Sequence, residues 1–446
     1  MKADHIAPGP RGDLLMGKLR AFQRDVLGLM LESSREYGDV VRFRLGPFVV
    51  HLLNHPDHVE HVLQSGARNY DKATRSSTKI RAICGDSLLT SNGEIWKRQR
   101  RLLQPSFHRR EITGMAAEMT DFTAAMLQRW QANLANGETL DIAAEMMRLT
   151  YSIVGKTLMG ADVSGDSAAI EEAMATMLTH TFRRWGKPID LPAFLPTPSN
   201  LRFRRALQVV DQIVYRIIAE HRADHGKSNL LSILLQTRDE QTGAELSDGE
   251  LRNETITFLL AGHETTANAL SWTFYLLSQN PGVERQLRAE LSGVLGGRAP
   301  TVEDLQHLAF TTMVIQEAMR LYPPIWAIER RAIAHDVIGG FPIPTGSSVV
   351  ISPYVLHRNE KFWPDAERFD PSRFSARPRA YLPFGSGPRF CIGNEFAMME
   401  ARLIVPMVVQ ACHLELAAGQ VVEAEPGITL RPKNGLRMNV RAVSPW

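Results

Sequence analysis

Most of the chain repeats apolar residues every three to four positions. A few short blocks switch to two-residue alternation or turn chemistry. Residues 14–37 read as one or two helices. Residues 40–45 (Val-Val-Arg-Phe-Arg-Leu) and 48–53 (Phe-Val-Val-His-Leu-Leu) flank Gly46-Pro47 and predict a hairpin. From Pro56 the pattern is helical again. Residues 69–92 are loop-rich, 93–101 open a strongly basic helix, and 111–180 are mostly amphipathic helix with a break at 160–165. A helix of about thirty residues is expected over 251–280. Another runs over 311–322 and stops at Pro323-Pro324. Residues 337–355 mix strand and turn signals and are expected to rejoin the first hairpin in one sheet. Residues 427–440 predict a last hairpin. The expected fold class is mostly α with a small β-rich region (39–53, 337–355 and 427–440).

Two stretches break the apolar pattern. The 251–280 helix is apolar on most sides, as a buried helix is. Yet its middle reads Ala261-Gly262-His263-Glu264-Thr265-Thr266. Buried polar groups are costly unless satisfied or used, Gly262 weakens the helix, and a hydroxyl at 265 can bond a carbonyl one turn back. The second stretch is Phe384-Gly385-Ser386-Gly387-Pro388-Arg389-Phe390-Cys391-Ile392-Gly393. It is a glycine- and proline-built loop ahead of a helix expected over 394–403. A sulfur just before a helix N-terminus lies near free N–H groups and the positive dipole end, which favour thiolate. Such a sulfur could ligate a metal or act as a nucleophile. Pro406 is expected to bend or shorten the helix that follows.

The 446 residues are 44% hydrophobic, enough for a large core, and 51 Lys+Arg nearly balance 48 Asp+Glu. That balance argues against a general nucleic-acid binder. The cysteines, Cys84, Cys391 and Cys412, are too sparse for a disulfide framework or a zinc cluster and fit a reducing compartment. No apolar run reaches signal-peptide or membrane-span length, so a soluble, cytoplasmic protein without a stable membrane anchor is expected. Residues 185–198 carry four prolines among Ile189, Leu191, Phe194 and Leu195. A loop of that length is disordered or functional.

The run Phe-Gly-x-Gly-x-Arg-x-Cys-x-Gly at 384–393 resembles the haem-binding loop of the cytochrome P450 superfamily, with every fixed position present. Ala-Gly-x-Glu-Thr-Thr at 261–266, Glu317-x-x-Arg320 and the Pro-x-Arg-Phe at 371–374 resemble its other motifs, in the family's order. The resemblance implies a single domain of the haem-thiolate fold carrying haem b (heme b, iron protoporphyrin IX). Cys391 would be its axial thiolate, a ligand type that favours O–O cleavage. Phe384 would pack beside the sulfur. Arg389, Trp96, Arg100, Arg331 and Lys72 would contact the haem propionates, with Arg330 competing with Arg331, and Gly393 would close the loop. Glu264 would be the acid of a proton relay, and Thr265 would steady dioxygen and a water. Ala261 and Gly262 would make room for oxygen, and His263 would be structural. Leu89, Leu260, Ala261, Ile325, Trp326 and Ile428 would face substrate, with 185–198 as a lid. Glu317, Arg320 and Arg373 would form a structural lock behind the haem loop.

The implied activity is insertion of one atom of O2 into an apolar molecule such as a fatty acid or terpene. The sequence around 261–266 and 85–90 looks most like the bacterial fatty-acid hydroxylase branch. Electrons would come from NAD(P)H through a separate reductase and a ferredoxin or flavodoxin. Their acidic donor would meet the basic 93–101 helix, and a monomer is the default. The alternatives are a peroxide-using peroxygenase or a non-catalytic haem sensor, neither of which needs the Glu264–Thr265 pair.

Overall fold

The computed structural model describes residues 6–443 except 14, 135–138, 161–166, 186–191, 193, 224–228, 240–242 and 377. Ile189 and Leu191 of the expected lid therefore lie outside the described residues, as does most of the expected break at 160–165.

The helix Asp248–Gln279 is the axis of the molecule. Ser247 and Glu250 start it with a reciprocal capping box, which satisfies two end N–H groups. Most of its residues are buried, because helices pack around it: Ile142–Met159 most extensively, with Ala309–Leu321 and Asn394–Ala411 on other sides. Gly262 allows a close approach. A Cβ there would lie 2.9 Å from Val154 Cγ2 of the helix Ile142–Met159. Its missing side chain thus serves the packing of these two helices.

The predicted first hairpin forms: Val40–Leu45 pairs antiparallel with Phe48–Leu53. Ser348–Ile351 joins Phe48–Leu53 in parallel, so the 337–355 region does rejoin the early hairpin. The sheet then continues with Ile328–Ala332 and Tyr70–Asp71, two strands absent from the expectation. Side chains alternate between its faces. Leu53, Val349 and Ile351 enter one apolar cluster, while Leu52 and Val350 enter another.

Two expectations are corrected. Residues 427–440 are not one hairpin. Ala424–Pro426 and Leu430–Pro432 form a small hairpin whose turn is 427–429, while Arg437–Ala442 lies between Thr139–Asp141 and Cys412–Leu416 in a separate sheet. Nor does Pro406 shorten its helix, which runs from Asn394 to Ala411. Leu403, Ile404, Val405 and Val408 around it are fully buried. Each such side chain contributes about 1.5–3 kcal/mol on burial, which together exceeds the ~3 kcal/mol or more that an interior proline costs.

Among the described residues no helix is long and apolar enough to cross a membrane.

Candidate active site

The cysteine loop is shaped by glycines with left-handed backbone. Gly385 and Gly387 have φ of 72° and 70°, and a Cβ on Gly387 would stand 1.8 Å from the carbonyl oxygen of Leu63. The Cys391 N–H donates to Phe384 O at 3.0 Å, and the Phe384 and Phe390 rings meet edge to face, centroids 6.3 Å apart. Gly393 caps the helix Asn394–Ala411, and its N–H points to the Cys391 sulfur. Cys391 is accessible on the wall of a cavity, with protein packed around it on its other sides. Burial pushes its thiol up, against the pull of the Gly393 N–H, Arg100 and Lys72. The helix-start effect expected from the sequence is therefore present but outweighed by burial. A metal cation against the sulfur would reverse that balance.

The cavity measures about 750 Å³. Cations gather on one part of its wall. Arg389 lies over Trp96, 4.4 Å from the ring centroid, and its Nη2 donates to Ser91 O at 2.9 Å and Asn92 Oδ1 at 3.1 Å. Its Nη1 is buried without a hydrogen-bond partner among the described residues. Arg100, one turn after Trp96, donates to Phe390 O at 2.9 Å, and Lys72 Nζ donates to Leu89 O at 2.8 Å. Arg330 and Arg331 are neighbours on a strand and point opposite ways. Arg331 is held by Asp71 at 3.1 and 2.7 Å, whereas Arg330 is buried beside Arg389 and Lys72. Burial pulls both Arg330 and Arg389 down to about 10. It pulls Lys72 down too, aided by repulsion from Arg330 and Arg389.

On the central helix, which also lines the cavity, Thr265 Oγ1 donates to Ala261 O at 2.7 Å, the back-bond expected from the sequence. Ala261 shows its side chain to the cavity. Glu264 is buried, and its Oε1 accepts from Thr429 Oγ1 at 2.8 Å. Thr429 in turn accepts from Asn268 Nδ2 at 3.0 Å. His263 faces away: its Nδ1 meets Leu259 O at 2.5 Å and its ring stands edge-on to Tyr151.

The sequence model of the family described as Cytochrome P450 matches residues 7–438. The chain belongs to this family. Cyclooctatin synthase of Streptomyces melanosporofaciens is 37% identical to this P450 over 95% of this chain and 93% of its own. Cyclooctat-9-en-7-ol 5-monooxygenase of the same organism is 38% identical over 91% and 88%. Pentalenene oxygenase of Streptomyces avermitilis is 34% identical over 93% of each chain. The protein is a cytochrome P450 monooxygenase, and membership implies a thiolate-ligated haem.

The cavity of this P450 fits that group. It sets one sulfur in the same lining as four cations, Lys72, Arg100, Arg330 and Arg389, of which Arg330 is buried and the others half-buried, and Arg389 Nη1 has no hydrogen-bond partner among the described residues. All the residues expected at haem, oxygen or substrate line this one cavity: Cys391, Phe384, Gly393, Trp96, Arg100, Arg389, Lys72, Arg331, Glu264, Thr265, Leu89, Leu260, Ala261, Ile325, Trp326 and Ile428. The carboxylate of Asp71 holds the Arg331 guanidinium, whereas its competitor Arg330 is buried on the other face of the strand; both line the cavity. Trp326 is also a clamp, its Nε1 donating to Gly427 O at 3.0 Å.

Glu317, Arg320 and Arg373, the residues of the expected lock, come together. Arg320 donates to both oxygens of Glu317 and to the carbonyls of His357, Ala366 and Arg368. Arg373 Nε approaches Glu317 to 3.5 Å. Sequence reasoning missed Asn268 and Thr429. Asn268 stands four residues after Glu264 on the same helix face, so spacing could have found it. Thr429 is 165 residues from Glu264, and no local pattern signals it. Glu254, a buried carboxylate accepting from Leu88 N at 3.0 and 3.2 Å, was missed as well.

Proposed function

We propose that this P450 hydroxylates or epoxidises an apolar, terpene-like substrate, with Cys391 as the haem ligand and Glu264 and Thr265 as the residues that manage protons. Bound haem supplies the activation of O2. The balance is RH + O2 + two electrons + two protons giving ROH + H2O, or the epoxide in place of ROH for a C=C bond. The electrons come from NAD(P)H through a separate ferredoxin or flavodoxin and its reductase. The chain's own residues do the rest. Arg389, Arg330, Arg100 and Lys72 would hold the propionates, with Trp96 stacked on Arg389. The Thr265 hydroxyl and Glu264 carboxylate deliver protons into the cavity, where apolar walls exclude bulk water.

The observation that carries the reading is one cavity that joins Cys391 to Glu264 and Thr265 through apolar lining from Leu89, Leu260, Ala261, Ile325 and Ile428. The acid–hydroxyl pair favours an O2-using enzyme over a peroxide-only enzyme or a sensor. The names of the three relatives favour a terpene-like skeleton over the fatty acid suggested by the motif sequence. The test is a spectral titration of the holoenzyme with pentalenene, straight-chain fatty acids and steroids. It is followed by turnover under isotopically labelled O2 with NAD(P)H, a ferredoxin and its reductase. One labelled oxygen in the product supports the reading. Turnover with hydrogen peroxide but none with O2 and a donor contradicts it.

A further inference from the structure

The carboxylate of Glu264 is not aimed by its own helix alone. It lies against the turn 427–429 of the hairpin formed by Ala424–Pro426 and Leu430–Pro432. Three side chains there are almost sealed from solvent: Glu264 at 8% exposure, Thr429 at 3% and Asn268 at 2%. A hydroxyl has a single proton. Because Thr429 Oγ1 accepts the Asn268 amide at 3.0 Å, its own proton is left for Glu264 Oε1 at 2.8 Å. Asn268 and Glu264 are one turn apart on the central helix, so the helix presents both to the same hydroxyl.

The turn that carries Thr429 is fixed on several sides. Trp272 Nε1 donates to Leu430 O and Trp326 Nε1 to Gly427 O, each at 3.0 Å. Leu430 N donates to Pro324 O at 2.9 Å, and Gly427 N to Thr429 O at 2.8 Å. A hydroxyl on so constrained a turn is a fixed reference point for the carboxylate it bonds. The neighbouring Ile428 lines the cavity, so one turn forms substrate wall and holds the acid.

We propose that Thr429, oriented by Asn268, is the positioning residue for the Glu264 carboxylate. This rests on the assignment of Glu264 as the proton-delivering acid. Thr429 acts only through Glu264: it fixes one carboxylate oxygen so that the other is free to face the cavity and pass its proton. Without the hydroxyl the carboxylate swings, protons arrive out of register, and the two electrons leave with O2 and two protons as hydrogen peroxide instead of supporting C–H oxidation.

The experiment compares E264Q, T429V, T429S and N268A in reconstituted holoenzyme with NAD(P)H, a ferredoxin and its reductase. It reads hydrogen peroxide released per O2 consumed, without added substrate and with pentalenene as probe. It also reads the infrared stretch of carbon monoxide on the reduced protein, which senses polar groups facing the ligand. Misplaced catalytic groups alter rates by up to ~100-fold. The expected result is that T429V changes the peroxide fraction in the same direction as E264Q and shifts or broadens the carbon monoxide stretch. T429S returns both to wild type, and N268A falls between. A T429V protein that behaves as wild type while E264Q is altered overturns the role of Thr429 and leaves the acid assignment standing. T429S failing to restore T429V reduces Thr429 to packing and likewise overturns the role. An unaltered E264Q removes the acid assignment, and the Thr429 role with it. Should T429V not fold, N268A with a wild-type peroxide fraction and stretch overturns the proposal.

Discussion

Glu317 and Arg320, one helical turn apart, are joined by two hydrogen bonds of 2.6 and 2.8 Å, and neither side chain reaches solvent. Burial pushes the Glu317 carboxyl up, and Arg320 opposes that shift. Arg320 also gathers three backbone carbonyls from the segment that leads to the cysteine loop. Removing one partner strands a buried charge, which costs about 3–5 kcal/mol. Arg320→Ala is therefore expected to lower the denaturation midpoint sharply and to yield protein that retains little haem. A variant that denatures as wild type and keeps its haem contradicts the lock. Arg320→Lys, a point charge without the planar fork, is expected to rescue only part of the loss.

Gly262 gives a packing test. Alanine is the better helix residue by about 1 kcal/mol, yet its Cβ would meet Val154 Cγ2 at 2.9 Å. Valine is stiff at χ1 and yields poorly. Gly262→Ala is expected to destabilise by about 1 kcal/mol net, because overpacking costs ~1–3 kcal/mol. The double variant with Val154→Ala is expected to regain part of that loss, and chemical denaturation of the four proteins closes the cycle. A simple sum of the two single effects would contradict the contact.

Glu254 gives the pH dependence. Burial, with help from the Glu250 charge and against the Leu88 N–H, raises its carboxyl from 4.5 to about 8. Between those values the folded chain keeps a proton that the unfolded chain has released. Proton uptake then favours folding, so this group's contribution to stability falls as pH rises from 4.5 to 8 and is flat above. Glu254→Gln is expected to flatten that slope and to stabilise the protein at pH 8 relative to wild type. Denaturation midpoints measured from pH 5 to 9 check it, and equal slopes in both proteins contradict it.

The cavity wall is tested at Ala261, whose side chain faces it. Ala261→Phe fills space in the cavity that Cys391 also lines. It is expected to weaken spectral binding of a bulky apolar ligand on the order of tenfold or more, equivalent to about 1.4 kcal/mol. Unchanged binding would place the ligand elsewhere.

The sequence was most legible where chemistry and backbone demand special residues together. The cysteine loop needs glycines at left-handed positions, and the central helix shows a polar knot in an apolar frame, so both could be read locally. The pair Glu317–Arg320 was legible because helix spacing puts both on one face. What escaped depended on contacts distant in sequence. The strand Ile328–Ala332 carries Glu329, Arg330 and Arg331, a composition that hides a strand. The Asp71 partner of Arg331 comes from 260 residues away. Pro406 misled because local propensity was overruled by core burial. Thr429 was invisible because a single hydroxyl on a turn resembles any other until the fold brings it to Glu264.

The central claim is that Cys391 ligates haem iron as a thiolate. The direct measurement is the Soret spectrum of the reduced, carbon-monoxide-treated protein, wild type beside Cys391→His. The wild type is expected to give the red-shifted thiolate-type band, and the variant to lose it for an imidazole-type band. A wild-type spectrum without the thiolate band, or a variant that keeps it, contradicts the account.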